Sequence, residues 1–213
     1  DLGFLAVWAA ASSKFPKGGC RVGYNSILFS SICACYKQFA RAEMYRNQVR
    51  IIGGQWKRRL LGFPDQQGLR PTSDRIRETL FNWLGQDLAG QSCLDLFAGS
   101  GALGFEAASR HAERVVMVEL ARPVQAVLKQ NATTLEARQI EVVAADALAY
   151  LARTHECFDV IFVDPPFGSD LLEQALPLLA ARLTSGGRIY LESARVPQLP
   201  AGWQVVRQGK AGK

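Results

Sequence analysis

Between Cys93 and Glu192, five short apolar segments alternate with segments of helical periodicity, and that alternation leaves few folds open. The strands read as Cys93–Phe97, Arg114–Glu119, Ile140–Ala144, Phe158–Val163 and Arg188–Glu192. Helices are expected from the first glycine turn to about His111, over Pro123–Leu135, over Ala147–Arg153, and around Asp170–Leu183 with Pro177 as a kink. Strands joined through helices pair in parallel, because each helix returns the chain to the same end of the sheet. The expectation is an α/β, doubly wound sheet with helices on both faces, whose ligands gather at the carboxyl ends of the strands.

The residues at those ends are the ones to read for chemistry. After the first strand comes Asp95-Leu96-Phe97-Ala98-Gly99-Ser100-Gly101-Ala102-Leu103-Gly104. Gly99 and Gly101 let backbone approach a ligand where a Cβ would intrude, and Gly104 permits close helix packing. Glu119 closes the second strand 20 residues beyond Gly99, placed to accept hydrogen bonds from ribose hydroxyls. A G-x-G-x-x-G run alone says little. Here it follows a strand, opens a helix and has an acid at this distance, so it points to an adenosine-containing ligand; a structural tight turn is the bland alternative.

Asp146 ends the third strand, where its carboxylate suits an adenine amino group or the N-cap of the helix starting at Ala147; the two roles are compatible. The fourth strand ends in Asp164-Pro165-Pro166-Phe167. Two prolines withhold two N–H donors and stiffen the turn, which presents a carboxylate and carbonyls beside an aromatic ring. Such a corner suits a planar amine. Asp164 and the Pro165 carbonyl accept from an exocyclic NH₂ while Phe167 stacks on the base, a structural turn again being the alternative.

Charge divides the chain. The first 60 residues carry ten Lys/Arg against Asp1 and Glu43, whereas 61–213 carry 15 basic and 17 acidic residues. A basic leading segment on a near-neutral body suits a polyanion, or is a solvated tail. Val49-Arg50-Ile51-Ile52, Gly53-Gly54 and Gln55 to Leu61 read as a β-hairpin with a glycine turn. Arg46, Arg50, Lys57, Arg58 and Arg59 fall in or beside it with no acid between them, and Trp56 offers a face on which a base can stack. The hairpin is thus a phosphate-gripping arm or a charged edge strand guarded against aggregation. Beyond it, Thr72, Ser73 or Asp74 caps a helix running to Leu84. Arg70, Arg75 and Arg77 crowd the helix start, where cations gain nothing from the dipole; an anionic partner or solvent accounts for them.

Residues 1–45 differ from the rest. The first methionine is Met44, and translation is expected to begin at or near it, with 1–43 as upstream sequence given no function. The organisation expected is an extension over 1–45, a basic hairpin over 46–68 and a catalytic domain over 69–213. Cys20, Cys33, Cys35, Cys93 and Cys157 form no C-x-x-C pair, and His111 and His155 are the only histidines. Neither a disulfide framework nor a zinc site is implied, no metal is assigned, and a reducing cytoplasm fits. No apolar run reaches the roughly 18 residues a membrane helix requires, so no membrane partner is expected.

Four segments together resemble the RsmD family of bacterial 16S rRNA guanine-N2 methyltransferases. They are Arg50–Trp56, Leu69-Arg70-Pro71-Thr72-Ser73-Asp74-Arg75-Ile76-Arg77-Glu78-Thr79-Leu80-Phe81-Asn82, Leu94–Gly104 and Phe162–Phe167. The glycine loop is generic to class I S-adenosylmethionine-dependent methyltransferases, and the (D/N)PP(F/Y) corner to their amino-group members. The hairpin and the LRPTSDRIRETLFN helix make the combination specific, over about Arg46 to Gln208.

The resemblance implies a Rossmann-like class I methyltransferase sheet of seven strands, the last two forming a hairpin. It implies methyl transfer from S-adenosylmethionine to N2 of guanine 966 in 16S rRNA. Asp95, Phe97, Ala98, Gly99, Gly101, Glu119, Asp146 and Ala147 would then hold the cofactor, and Arg70 and Thr72 reach its carboxylate or RNA. Asp164, Pro165, Pro166 and Phe167 would receive the amine, and Arg46, Arg50, Trp56, Lys57, Arg58 and Arg59 grip RNA. The expected partner is 16S rRNA in an assembling small ribosomal subunit, and the expected enzyme a cytoplasmic monomer. The chain departs from the family in one respect. Trp203–Arg207 supplies a sixth strand and no seventh follows before Lys213, so the edges of strands five and six are expected to lie unpaired.

Other readings remain. A nicotinamide-dependent oxidoreductase fits the glycine loop and acid but not the double-proline turn. An RNA-binding scaffold with a vestigial pocket, or amino-methylation of DNA adenine or protein glutamine, would use related features.

Overall fold

The computed structural model describes residues 2–9, 47–65, 72–166, 168–193 and 197–211. Its elements begin with β1 (Leu2–Ala9), β2 (Asn47–Arg50), β3 (Leu60–Phe63), α1 (Asp74–Leu84), β4 (Ser92–Asp95), α2 (Ala102–Ser109) and β5 (Arg114–Glu119). They continue with α3 (Arg122–Thr134), β6 (Ile140–Ala144), α4 (Ala147–Arg153), β7 (Phe158–Val163), α5 (Leu171–Leu179), a 3₁₀ turn (Ala180–Arg182), β8 (Leu183–Ser193) and β9 (Trp203–Ala211). Seven strands form one sheet in the order β6-β5-β4-β7-β8-β1-β9, while β2 and β3 pair separately. From β6 to β8 all neighbours are parallel.

Successive residues of each strand face opposite layers, which sorts the core into two. Cys93, Met117, Phe162 and Tyr190 pack with Phe81 of α1, Phe105 of α2 and Leu128 of α3. Leu94, Val116, Ile161 and Leu191 pack with Leu151 of α4 and Leu172 and Leu176 of α5. Helices thus cover both faces. Burial pushes the Cys93 thiol up to about 12 and leaves it an inert core group. Among the described residues no helix is long and apolar enough to cross a membrane.

The edges expected to lie unpaired are occupied. β1 runs antiparallel to β8 and β9 at once, with Leu5 opposite Leu191 on one side and Gln208 on the other. The segment given no role therefore contributes a strand, because main-chain donors and acceptors on two facing edges are satisfied by any extended segment that fits between them. Met44, Arg46, Cys20, Cys33 and Cys35 lie outside the described residues.

The hairpin also differs from the expectation. Gly53 and Gly54 are not its tight turn; the strands are joined by a loop over 51–59. The glycine pair is instead where that loop docks on the end of α2. Ser109 Oγ donates to the Gly53 carbonyl at 2.6 Å, and the Gln55 amide donates to the Ser109 carbonyl at 2.7 Å. A Cβ on Gly54, whose φ is +73°, would stand 1.9 Å from that carbonyl oxygen. Close backbone approach, rather than chain reversal, demands glycine here.

A buried ionic knot fastens loop, α1 and α2. Glu106 is fully buried, and its Oε2 accepts from Arg77 Nη1 at 3.2 Å and from the Ile52 amide at 2.9 Å. Its Oε1 accepts from Arg110 Nε at 2.9 Å. The arginine read as awaiting an external anion, Arg77, has its anions inside: Glu106 and Asp74. Arg75 is exposed.

Candidate active site

The glycine turn links β4 to α2 in the manner its sequence requires. Gly99 and Gly101 take φ of +49° and +78°, left-handed conformations that L side chains rarely adopt. Gly101 caps α2, and a Cβ there would lie 2.7 Å from Leu128 and Phe105. Glu119, at the end of neighbouring β5, faces this loop. Its Oε2 accepts from the Gly99 amide at 3.0 Å and its Oε1 from the Ala121 amide at 2.8 Å. The acid and the loop, 20 residues apart in sequence, are thus in contact.

Asp95 turns inward. Its Oδ2 accepts from the Gly104 amide at 2.9 Å, and burial, with the charges of Asp164 and Glu119 adding to it, raises its carboxyl to about 7. It pins the start of α2 and so the shape of the loop holding Phe97 and Ala98. Asp146 caps α4 by accepting from the Ala149 amide at 2.9 Å, while Ala147 is buried beside it. The capping role read from the sequence is the one the structure records.

The proline corner closes β7, directly beside β4. Asp95 pairs with Phe162, and the Leu96 amide donates to the Phe162 carbonyl at 3.1 Å, so the glycine turn and Asp164 leave adjacent strands at the same sheet edge. Thr72 Oγ1 donates to Asp164 Oδ2 at 3.0 Å, which places Thr72 at the proline corner. The Pro166 carbonyl accepts from Ser169 Oγ at 2.7 Å, so the turn's own hydrogen bond uses that carbonyl rather than the one of Pro165. Arg70 and Phe167 lie outside the described residues.

The basic residues divide. Lys57, Arg58 and Arg59 are exposed on the docked loop, with Arg58 held at φ +72°. Arg50 pairs with Asp74 at 2.6 Å, and Trp56 is half-buried against the core rather than fully presented. Sequence reasoning passed over two groups beside the proline corner, Glu192 and Tyr190. Glu192 is buried at the end of β8, where Tyr190 Oη donates to its Oε2 at 3.2 Å. The rule that polar residues at strand ends bear chemistry would have picked out Glu192.

A twisted parallel sheet with a glycine turn, a facing acid and a D-P-P corner on one edge defines a Rossmann-like class I methyltransferase fold. The family model described as Conserved hypothetical protein 95 matches residues 49–213. The Ribosomal RNA small subunit methyltransferase D of Escherichia coli K12 is 46% identical over 171 residues, covering 78% of this chain and 86% of that protein. Its namesake in Haemophilus influenzae is 42% identical over 175 residues, covering 78% and 91%. The solved structure of yhhF from Escherichia coli superposes with a TM-score of 0.72 at 46% identity, over 78% of this chain and 93% of that one. The precorrin-6y C5,15-methyltransferase of Geobacter metallireducens shares the fold at 25% identity and a TM-score of 0.52, over 61% and 67%. The chain belongs to the RsmD family of methyltransferases.

Proposed function

We propose that this chain transfers a methyl group from S-adenosylmethionine to the exocyclic N2 of a guanine in 16S rRNA, nucleotide 966 in the usual bacterial numbering. The observation that carries the reading is the adjacency of the β4 glycine turn and the β7 Asp164 corner. The residues present fit the cofactor: Gly99 and Gly101 carry the backbone through left-handed conformations after β4, and the Glu119 carboxylate faces that turn. When bound, the cofactor supplies an electrophilic methyl group on a sulfonium, so the chain need supply neither metal nor covalent nucleophile.

What the protein contributes is alignment. The turn at Gly99 and Gly101 admits the methionine end, Glu119 the ribose, and Asp146 with Ala147 the adenine. Asp164, steadied by Thr72, and the Pro165 carbonyl receive the N–H groups of the acceptor amine and favour its developing positive charge. Near-attack contact of roughly 3–3.5 Å is what such a corner has to enforce. Phe167 stacks on the base, and Lys57, Arg58 and Arg59 contribute salt-sensitive phosphate contacts.

Purified protein, labelled S-adenosylmethionine and either free 16S rRNA or an assembling small subunit test this directly, with mass spectrometry locating the methylated nucleotide. Label found only on protein or small molecules would sink the RNA reading, and label at an adenine would sink the guanine assignment. Asp164→Ala should abolish transfer while leaving cofactor affinity largely intact; undiminished transfer would contradict its role.

A further inference from the structure

We propose that Glu192 is a positioning residue of the acceptor corner: with Asp164 it forms a carboxyl pair that holds one proton in common and presents a single, oriented negative charge to the amine. The inference rests on the reading of Asp164 as the group that receives that amine. Its basis is geometric. Val163 of β7 pairs with Leu191 of β8 in parallel register, so the next residues, Asp164 and Glu192, leave neighbouring strands side by side. Adjacent strands are about 4.8 Å apart, and both side chains project on the face that carries Phe162 and Tyr190 two residues earlier. Each carboxyl group shifts the titration of the other, as side chains placed side by side on adjacent strands do.

Burial then limits the charge the pair can hold. Glu192 is 7% exposed, Thr72 8% and Tyr190 0%, while Asp164 is half-buried and opens toward the site. Among the described residues, the groups acting on the pair are Thr72 ahead of α1, Tyr190 on β8 and Asp95 on β4, none of them a cation. Two carboxyl groups side by side on adjacent strands, with no cation among the described groups acting on them, do not both ionise readily; one keeps its proton and can share it with the other. Burial and the neighbouring Asp164 charge raise Glu192 to about 7, and burial raises Asp164 as well. Below about pH 7 Glu192 is therefore the partner that holds the proton, and the charge of the pair falls on Asp164. Asp164 is consequently gripped from two sides, by Thr72 and by Glu192, with its charge fixed in direction.

The test combines a readout on the resting protein with one on catalysis. ¹³C-carboxyl NMR of the full chain should show a glutamate titrating near neutrality. That signal should vanish in Glu192→Gln, move to lower pH in Asp164→Asn, and move to higher pH in Tyr190→Phe, which removes a hydrogen bond favouring the ionised form. In methyl transfer, Glu192→Gln should lower kcat by about tenfold or more and flatten its pH profile around neutrality, with cofactor Kd changed by no more than about twofold. Unchanged cofactor affinity also reports that this variant folds. A Glu192 titrating in the ordinary carboxylate range would overturn the proposal, as would wild-type kcat in Glu192→Gln at every pH. A wild-type chain that shows the shared proton yet methylates no RNA would support the pair and sink the function proposed above.

Discussion

Replacing Glu106 by Gln removes one negative charge from the point where two guanidinium groups and a backbone amide converge. Both carboxylate oxygens are in use: Oε2 accepts from Arg77 and Ile52, and Oε1 from Arg110. An amide keeps one acceptor and turns an NH₂ donor toward a guanidinium donor. Arg77 and Arg110, 1% and 4% exposed, would then be buried cations short of a counter-charge. Arg77 retains Asp74, and Arg110 retains Gln86 and the face of Phe81, so the loss is partial. Breaking a buried ion pair from one side costs about 3–5 kcal/mol. For a chain of this size that corresponds to a melting temperature lowered by about 6–20 °C. Urea and thermal unfolding followed by circular dichroism measure it. Glu141→Gln at the exposed Arg114 pair is the control, expected within about 1 kcal/mol of wild type. A loss at Glu106→Gln no larger than in that control would refute the argument that this knot holds the loop and α1 to α2.

Three further outcomes follow from other sites. Asp95 has a carboxyl raised to about 7 in the fold, above its unfolded value of 3.8, so the native chain binds the extra proton between those limits. The contribution of Asp95 to stability is accordingly fully present below about pH 4 and lost as pH rises to about 7, so Asp95→Asn should change the slope of urea midpoints against pH over that window; identical slopes would contradict it. Gly101→Ala should destabilise the fold by about 2 kcal/mol or more, since it combines a left-handed φ with contacts of 2.7 Å to Leu128 and Phe105; calorimetry decides. Lys57→Ala and Arg59→Ala should each reduce the slope of log affinity for rRNA against log salt by about one; unchanged slopes would remove the loop from the RNA interface.

The parallel half of the sheet was legible because its signals are local. β5, β6, β7 and α4 begin and end where hydrophobic runs and caps place them, and Glu119 meets the Gly99 loop as the spacing implies. What stayed hidden depends on partners distant in sequence. Gly53-Gly54 carries the mark of a hairpin turn, and only the Ser109 carbonyl across the molecule makes it a docking point. Arg77 resembles any surface arginine until Glu106 is beside it. Glu192 ends a strand like the other acids, yet its neighbour Asp164 is 28 residues away and becomes visible only through the β7–β8 register. The pairing of Leu2–Ala9 is set by two strand edges near the other end of the chain, which an apolar run does not specify on its own.

That strand gives the molecule an order of assembly. Gly3 pairs with Ser193 and with Lys210, contacts that span nearly the whole sequence, whereas β4 and β5, β5 and β6, and β7 and β8 each meet across a single helical connection. Closing so wide a loop is entropically slow, and it yields no pairing until both facing edges exist. Leu2–Ala9 thus finds its place only after β8 and β9 are set, and the antiparallel flank is the late, rate-sensitive part of the sheet.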